Sequence, residues 1–323
     1  MVLIDFGLLR FWSGEREPST GEGPVGEQVA RRLDSAVDLQ LVGEDPVGAG
    51  RALDLATGRG RFVFDVPADE VAAVSSEVTR RCAEGGFDVA VEAIPRMPHR
   101  RRVSRLLDDA PHGTEVVYAG GWAVAVRGVP VGRTLAVRGV RMPEDGPDAD
   151  RWHSVWLEVD PRTPTRTEHL GYVLVDEARL AFADPDALSV WRTDDPVDGR
   201  ADLAFWGRDV DAVVERTGAP RLDDGAYGWV DLAWDDALSR AGELDQLRSG
   251  GELRFAFDLR PHDDHHRLLT VACTATTGSA SIDINGRVVC GFFTSWGDGA
   301  FPVHRDLAPD GTLCRLRVEL YVP

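Results

Sequence analysis

Ile282-Asp283-Ile284-Asn285-Gly286-Arg287-Val288-Val289-Cys290 sets two apolar residues around an aspartate, follows them with an Asn-Gly pair and returns to an apolar run. Alternation of period two marks a strand with one buried and one wet face, and Asn-Gly supplies the positive φ angles of a type I′ turn. The stretch reads as a β-hairpin, the unit of an antiparallel sheet. Leu253, Phe255, Phe257 and Leu259 show the same alternation upstream. Downstream it returns in Cys314, Leu316, Val318 and Leu320, after a second turn signal at Asp310-Gly311. The C-terminal half is therefore expected to end in an antiparallel β-sheet.

Nearer the start the period changes. Arg61 to Val66 reads as a strand, Val71, Val74, Val78 and Cys82 share one helical face, and Phe87 to Ile94 reads as a strand after Gly85-Gly86. This predicts a β-α-β unit. Its first turn carries no G-x-G-x-x-G, so a dinucleotide fold has no support there. Met1 to Trp12 reads as a strand, and the four-residue recurrence of Val25, Val29, Leu33 and Val37 as a helix. Strands are expected from Glu115 to Asp160, and Pro161-Arg162-Thr163-Pro164 as a linker. Beyond it come a strand pair, Tyr172 to Val175 and Arg179 to Phe182, a short helix from Asp184 to Trp191 and a strand from Asp202 to Trp206. Asp209 is the expected cap of the next helix, which Gly218 ends. The resulting fold class is α+β: an N-terminal mixed domain, residues 1–163, and a C-terminal domain, residues 164–323.

Composition narrows the function. Fifty-four acidic against 36 basic residues leave a net charge of -18, a field that repels phosphate backbones and anionic lipid. Nucleic acid and membrane are not expected partners. All permanent side-chain positive charge rests on arginine, because the chain has no lysine. The one basic cluster, Arg96 to Arg102 with Arg105, reads as pairing with the protein's own carboxylates. Cys82, Cys273, Cys290 and Cys314 form no C-x-x-C pair and have apolar neighbours, which fits small buried residues in a reducing, cytoplasmic setting.

Two motifs in the second half resemble an uncharacterised bacterial family, a domain of unknown function. One is Val175-Asp176-Glu177-Ala178 running through Phe182-Ala183-Asp184. The other is Ser295-Trp296-Gly297-Asp298-Gly299-Ala300-Phe301-Pro302-Val303, followed by the Asp310-Gly311 turn and a last strand, Leu313 to Leu320. His304-Arg305 stands where that family commonly has an aromatic residue. The resemblance implies a fold and no reaction.

Two groups of residues carry candidate chemistry. Trp296, Asp298, Phe301 and His304 place aromatic rings, a carboxylate and an imidazole around a Gly-Asp-Gly bend, the ingredients of a ligand-binding site. His262-Asp263-Asp264-His265-His266 supplies imidazoles and carboxylates suited to a divalent metal, with His262, His265 and His266 the expected ligands on a loop between strands. These groups support two functions. The first is a non-enzymatic binding or interaction protein whose partner is a protein or small-molecule ligand. The second is a metal-dependent hydrolase that joins the His262–His266 loop to Asp298 and His304.

Overall fold

The computed structural model describes residues 1–16, 18, 36–53, 60–118 and 121–321, and it divides the chain into two compact units. The first comprises Met1–Val190 and Ala275–Pro323, and the second is the contiguous segment Trp191–Thr274.

The first unit opens with β1 (Val2–Asp5) and a 3-10 helix over Phe6–Phe11, where a longer strand was expected. Next come β2 (Val37–Gly43), α1 (Pro46–Leu53), β3 (Phe62–Val66), α2 (Val71–Glu84), β4 (Val89–Ile94) and α3 (His99–Asp109). Strands β5 (Gly113–Tyr118), β6 (Gly121–Val126), β7 (Ala136–Arg141), β8 (Trp152–Glu158), β9 (Arg166–Val175) and β10 (Arg179–Ala183) lead into the short α4 (Pro185–Ser189). The second unit holds β11 (Arg200–Gly207), α5 (Val210–Thr217), β12 (Tyr227–Ala233), α6 (Trp234–Ser249), β13 (Phe255–Pro261) and α7 (Asp264–Thr274). The chain then returns to the first unit with β14 (Ser279–Ile284), β15 (Arg287–Phe293), β16 (Gly299–Leu307) and β17 (Leu313–Glu319).

The α+β class and the antiparallel C-terminal strands are as expected. Asn285 and Gly286 take φ angles of 51° and 79°, and Ile284 pairs with Arg287 across the turn. The two C-terminal hairpins enter different sheets, however. β14 and β15 lie in a six-stranded sheet of order β14-β15-β10-β1-β6-β5, and β16 and β17 in a five-stranded sheet of order β7-β8-β17-β16-β9. Leu3, Val124, Leu180, Phe182 and Phe292 from the first sheet share one apolar core with Val155, Val173, Phe301, Val303, Leu316 and Val318 from the second. The two sheets form a sandwich. Leu316 and Val318 of the last alternating strand lie on its inner face, whereas Ile282 and Ile284 lie on the opposite, also buried face of the first sheet, because Ser281 shares the core side with its partner Cys290 and with Phe182.

The β-α-β reading is right in its elements. The helical face of Val78 and Cys82 packs on a sheet of order β3-β2-β4 in which β2, antiparallel to both neighbours, separates the two strands of the unit. Val37 opens β2, while Val25, Val29 and Leu33 of the expected helix lie outside the described residues.

The expected domain boundary near residue 163 falls inside the first unit. β8 and β9, on either side of Pro161–Pro164, belong to one sheet with β17 and β16 between them, and β1 pairs with β10. Long-range pairing overrides a local proline signal there. The expected strand pair at Tyr172–Val175 and Arg179–Phe182 separates for the same reason: β9 pairs with β16, and β10 with β1 and β15.

The three-stranded layer is joined to α3 by buried charge. Arg102 is fully buried, and its guanidinium reaches Asp65 through two bonds of 2.7 and 2.8 Å, Asp38 at 3.3 Å, and the carbonyls of Met97 at 3.0 Å and Val117 at 3.2 Å. Arg96 pairs with Asp65 as well, and Arg100 with Asp186. Three arginines of the basic cluster thus neutralise the protein's own carboxylates. Burial works against the charged form of Asp65, yet the bonds and charge of Arg102 and Arg96 outweigh it and hold that carboxyl far below the usual range.

Replacing Arg102 with Met should destabilise the first unit by about 3–5 kcal/mol, because two buried carboxylates lose their main counter-charge; urea unfolding measures it. A folded-state carboxyl held below its unfolded value stabilises above about pH 4 and loses that contribution as pH falls. Wild-type stability should therefore drop on acidification below about pH 4, and the drop should be shallower in Arg102→Met.

Candidate functional site

The histidine-rich segment closes the second unit's small sheet. In β11, Leu203 and Phe205 face the unit's core with Val213, Leu244 and Phe255, so Asp202, one residue earlier, faces the other way. β13 runs antiparallel to β11 with Asp202 opposite Arg260 and Leu203 opposite Leu259. The ladder continues past Pro261, where the His262 N–H donates to the Arg200 carbonyl at 2.9 Å. His262 is therefore diagonal to Asp202 on one face of the sheet.

Just past His262 the chain enters a helix, where a loop between strands was expected. Asp263 accepts the backbone N–H of His266 at 2.8 Å, as a cap does three residues before its donor, and its other oxygen accepts the Asp194 N–H at 3.1 Å. Asp264 accepts the Arg192 N–H at 2.9 Å and pairs with Arg267 at 2.9 Å. These two aspartates start α7 and hold the 192–194 segment against it. Asp209, by contrast, makes no side-chain cap on α5 and accepts the Arg254 N–H instead.

His266 falls in the first turn of α7, and its ring stacks on that of His262 with centroids 4.4 Å apart and planes 13° off parallel. One donor atom each from Asp202, His262 and His266 lie within 4.8 Å of one another, all three side chains half-buried. His262 Nε2 is 3.1 Å from Asp202 Oδ1, and Nδ1 is 3.0 Å from Asp198 Oδ2. Ionised carboxylates only accept, so a carboxylate at each ring nitrogen favours the doubly protonated imidazolium of His262. Burial pulls its pKa down, but bonds to Asp198 and Asp202 outweigh burial and leave it above the ordinary value. His266 moves the other way, lowered by burial and then by the charge of His262.

The donor set suits a borderline divalent ion. Zinc holds imidazole nitrogen and carboxylate oxygen at about 2.0–2.2 Å, which sets tetrahedral donors about 3.4 Å apart. The three atoms need only small side-chain adjustments to meet that spacing. Asp198 on His262 Nδ1 is the outer carboxylate that orients a ligating imidazole. Loss of the His262 proton would free Nε2 for the ion.

His265 lies in the same turn of α7 and is not among the three donors. Among the described residues, Asp298 and His304 join no group of three His, Cys, Asp or Glu donors. Both belong to the first unit, while the three donors that do converge all belong to the second. The Gly-Asp-Gly bend has internal duties: Trp296 Nε1 donates to the Trp152 carbonyl at 2.7 Å, Asp298 accepts the Ala178 N–H at 2.9 Å, and Phe301 lies in the sandwich core. The guanidinium of Arg151 covers the Trp296 ring at 4.5 Å. His304 sits opposite His169 across β16 and β9, lowered in pKa by burial and by Arg317.

In the sequence Asp198 stands out only within the acidic, turn-like segment Asp194–Gly199, which lacks the regular spacing of a calcium loop, and Asp202 only as the start of a strand. Asp202 is one charged residue on the wet side of an alternating strand, and Asp198 precedes a turn glycine; neither pattern differs from ordinary surface.

In metal-free protein, His262 should titrate above an ordinary histidine and His266 below it, and Asp198→Asn should move His262 downward. Two-dimensional 1H–15N spectra of the imidazoles across a pH series read this directly, and a His262 at or below the ordinary value would contradict the geometry. No protein-family model, curated protein or solved structure matches the chain, and the functional reading rests on this geometry.

Proposed function

We propose that this protein binds a divalent transition-metal ion, zinc foremost, at Asp202, His262 and His266, and that the centre is of the hydrolytic kind. The observation that carries the reading is the convergence of these donors with Asp198 behind His262. A closed structural zinc site has four protein ligands, whereas three leave a position for water, and an ion so held supplies Lewis acidity and a water acidified toward neutral pH. Asp202 and His262 are positioned by strand pairing and His266 by a capped helix, so the ligands stand on rigid elements. The partner class is a small-molecule substrate. This reading keeps the metal-dependent hydrolase considered from sequence and changes its residues: Asp202 takes the place of His265, Asp298 and His304.

A cytoplasmic setting fits the four cysteines, all free, two of them buried. Among the described residues, no helix is long and apolar enough to cross a membrane. The resemblance of the Ser295–Val303 segment to a bacterial family of unknown function stays a proposal about kinship and adds no chemistry.

Calorimetric titration of purified, chelator-treated protein should show one equivalent of Zn2+ bound. Asp202→Ala and His266→Ala should abolish or severely weaken uptake, Asp198→Ala should weaken it by about 10–100-fold as an outer-shell loss, and His265→Ala should leave it unchanged. Affinity should fall as pH is lowered, because the proton on His262 competes with the ion, by up to about tenfold per unit. No uptake by the wild type, or uptake that depends on His265 and not on Asp202, would overturn the assignment.

A further inference from the structure

Arg260 stands directly opposite Asp202 in the β11–β13 register and two residues before His262, so all three side chains leave the same face of the sheet. Its Nε donates to Asp258 Oδ2 at 2.7 Å, which anchors the guanidinium at one corner. Its two terminal nitrogens make no hydrogen bond among the described residues, and the side chain is 41% exposed. Beside the three metal donors, then, lies a half-exposed arginine with its outer edge unused.

The chain as a whole repels anions, with a net charge of -18. An anion can settle only where positive charge is concentrated, and an ion at Asp202, His262 and His266 next to Arg260 is such a place. The outer edge of a guanidinium presents two N–H donors side by side, matched to two oxygens on one atom. A ligand that uses this fork and also a metal position needs a third oxygen. A carboxylate has two oxygens; a phosphoryl group has three or four.

We infer that Arg260 is the second anchor of the site and that the ligand class is a phosphoryl group, with two oxygens on the Arg260 fork and a third facing the metal position. The inference rests on the metal-centre reading above. It makes Arg260 a substrate-binding residue that leaves the ion itself alone.

Cobalt(II)-loaded protein tests both readings separately, because its visible absorption reports what enters the coordination shell. Inorganic phosphate should perturb these bands saturably, and acetate at the same concentrations should perturb them far less. Arg260→Met should bind cobalt within about twofold of wild type, since it touches no donor atom, yet lose about 10–100-fold in phosphate affinity, the worth of charge-assisted hydrogen bonds. Arg260→Lys should recover only part of the loss, because it restores the charge without the fork. Phenyl phosphate binding more tightly than inorganic phosphate supports an ester substrate, and the reverse order supports free phosphate, each with Arg260 as the anchor. An absent phosphate response, acetate binding as tightly as phosphate, or equal phosphate affinity in Arg260→Met overturns the inference while the cobalt bands keep the metal centre. Failure of the bands to form at all overturns the metal centre, and this inference with it.

Discussion

Arg102, wholly buried between Asp38 and Asp65, is the constraint around which the small layer of the first unit is assembled. A guanidinium has five N–H donors and no way to shed its charge, so burying it requires acceptors in a fixed planar arrangement. Asp65 meets two nitrogens at once, Asp38 supplies a further acceptor and two backbone carbonyls complete the set. Asp38 in turn accepts the backbone N–H groups of Asp65 and Met97. One side chain thereby ties α3 to β2, β3 and β5, and none of these segments can shift without leaving a buried charge unanswered.

Aspartate plays the same part throughout the protein. Asp5 accepts three backbone N–H groups, from Gly7, Asp176 and Glu177, and burial still pushes its carboxyl up to about 6. Asp298 holds Ala178, and Asp263 and Asp264 hold the 192–194 segment and the start of α7. Short carboxylates reach main-chain donors with little loss of side-chain freedom, and they satisfy loop backbone that secondary structure leaves unpaired. Much of the acidic excess visible in the composition is structural, and the candidate centre grows from it: the aspartates that cap α7 are what bring His266 over His262.

Much of the fold was legible because it rests on local rules. The Asn285-Gly286 turn, the alternation of Phe255, Phe257 and Leu259, and the Val78–Cys82 helical face each appear as expected, since turn chemistry and side-chain period act over a few residues. Partners of strands were another matter. Tyr172–Val175 and Arg179–Phe182 looked like a pair, and β9 and β10 went to separate sheets; Pro161–Pro164 looked like a domain linker, and it joins two strands of one sheet. Of the candidate site, His262 and His266 could be picked out by composition and Asp198 only as part of an acidic turn, but Asp202 could not, because a carboxylate on a wet strand face looks the same in sequence whether or not a histidine lies diagonal to it. Trp296 and Asp298 drew notice for their chemistry and turned out to close a bend, through bonds to Trp152 and Ala178 that lie more than a hundred residues away.

The amino-acid sequence by itself determined the α+β class, the antiparallel hairpins, the helix of the β-α-β unit and the self-neutralising use of arginine, all of which rest on residue period, turn residues and charge counts. Only the tertiary structure decided that β1 pairs with β10, that Trp191–Thr274 is a unit of its own, and that Asp202 meets His262 and His266. The physical reason is the same in each case. Strand pairing and side-chain convergence are set by which buried faces and backbone donors find each other across long loops, and that competition among non-local partners leaves no mark on the residues near any one of them.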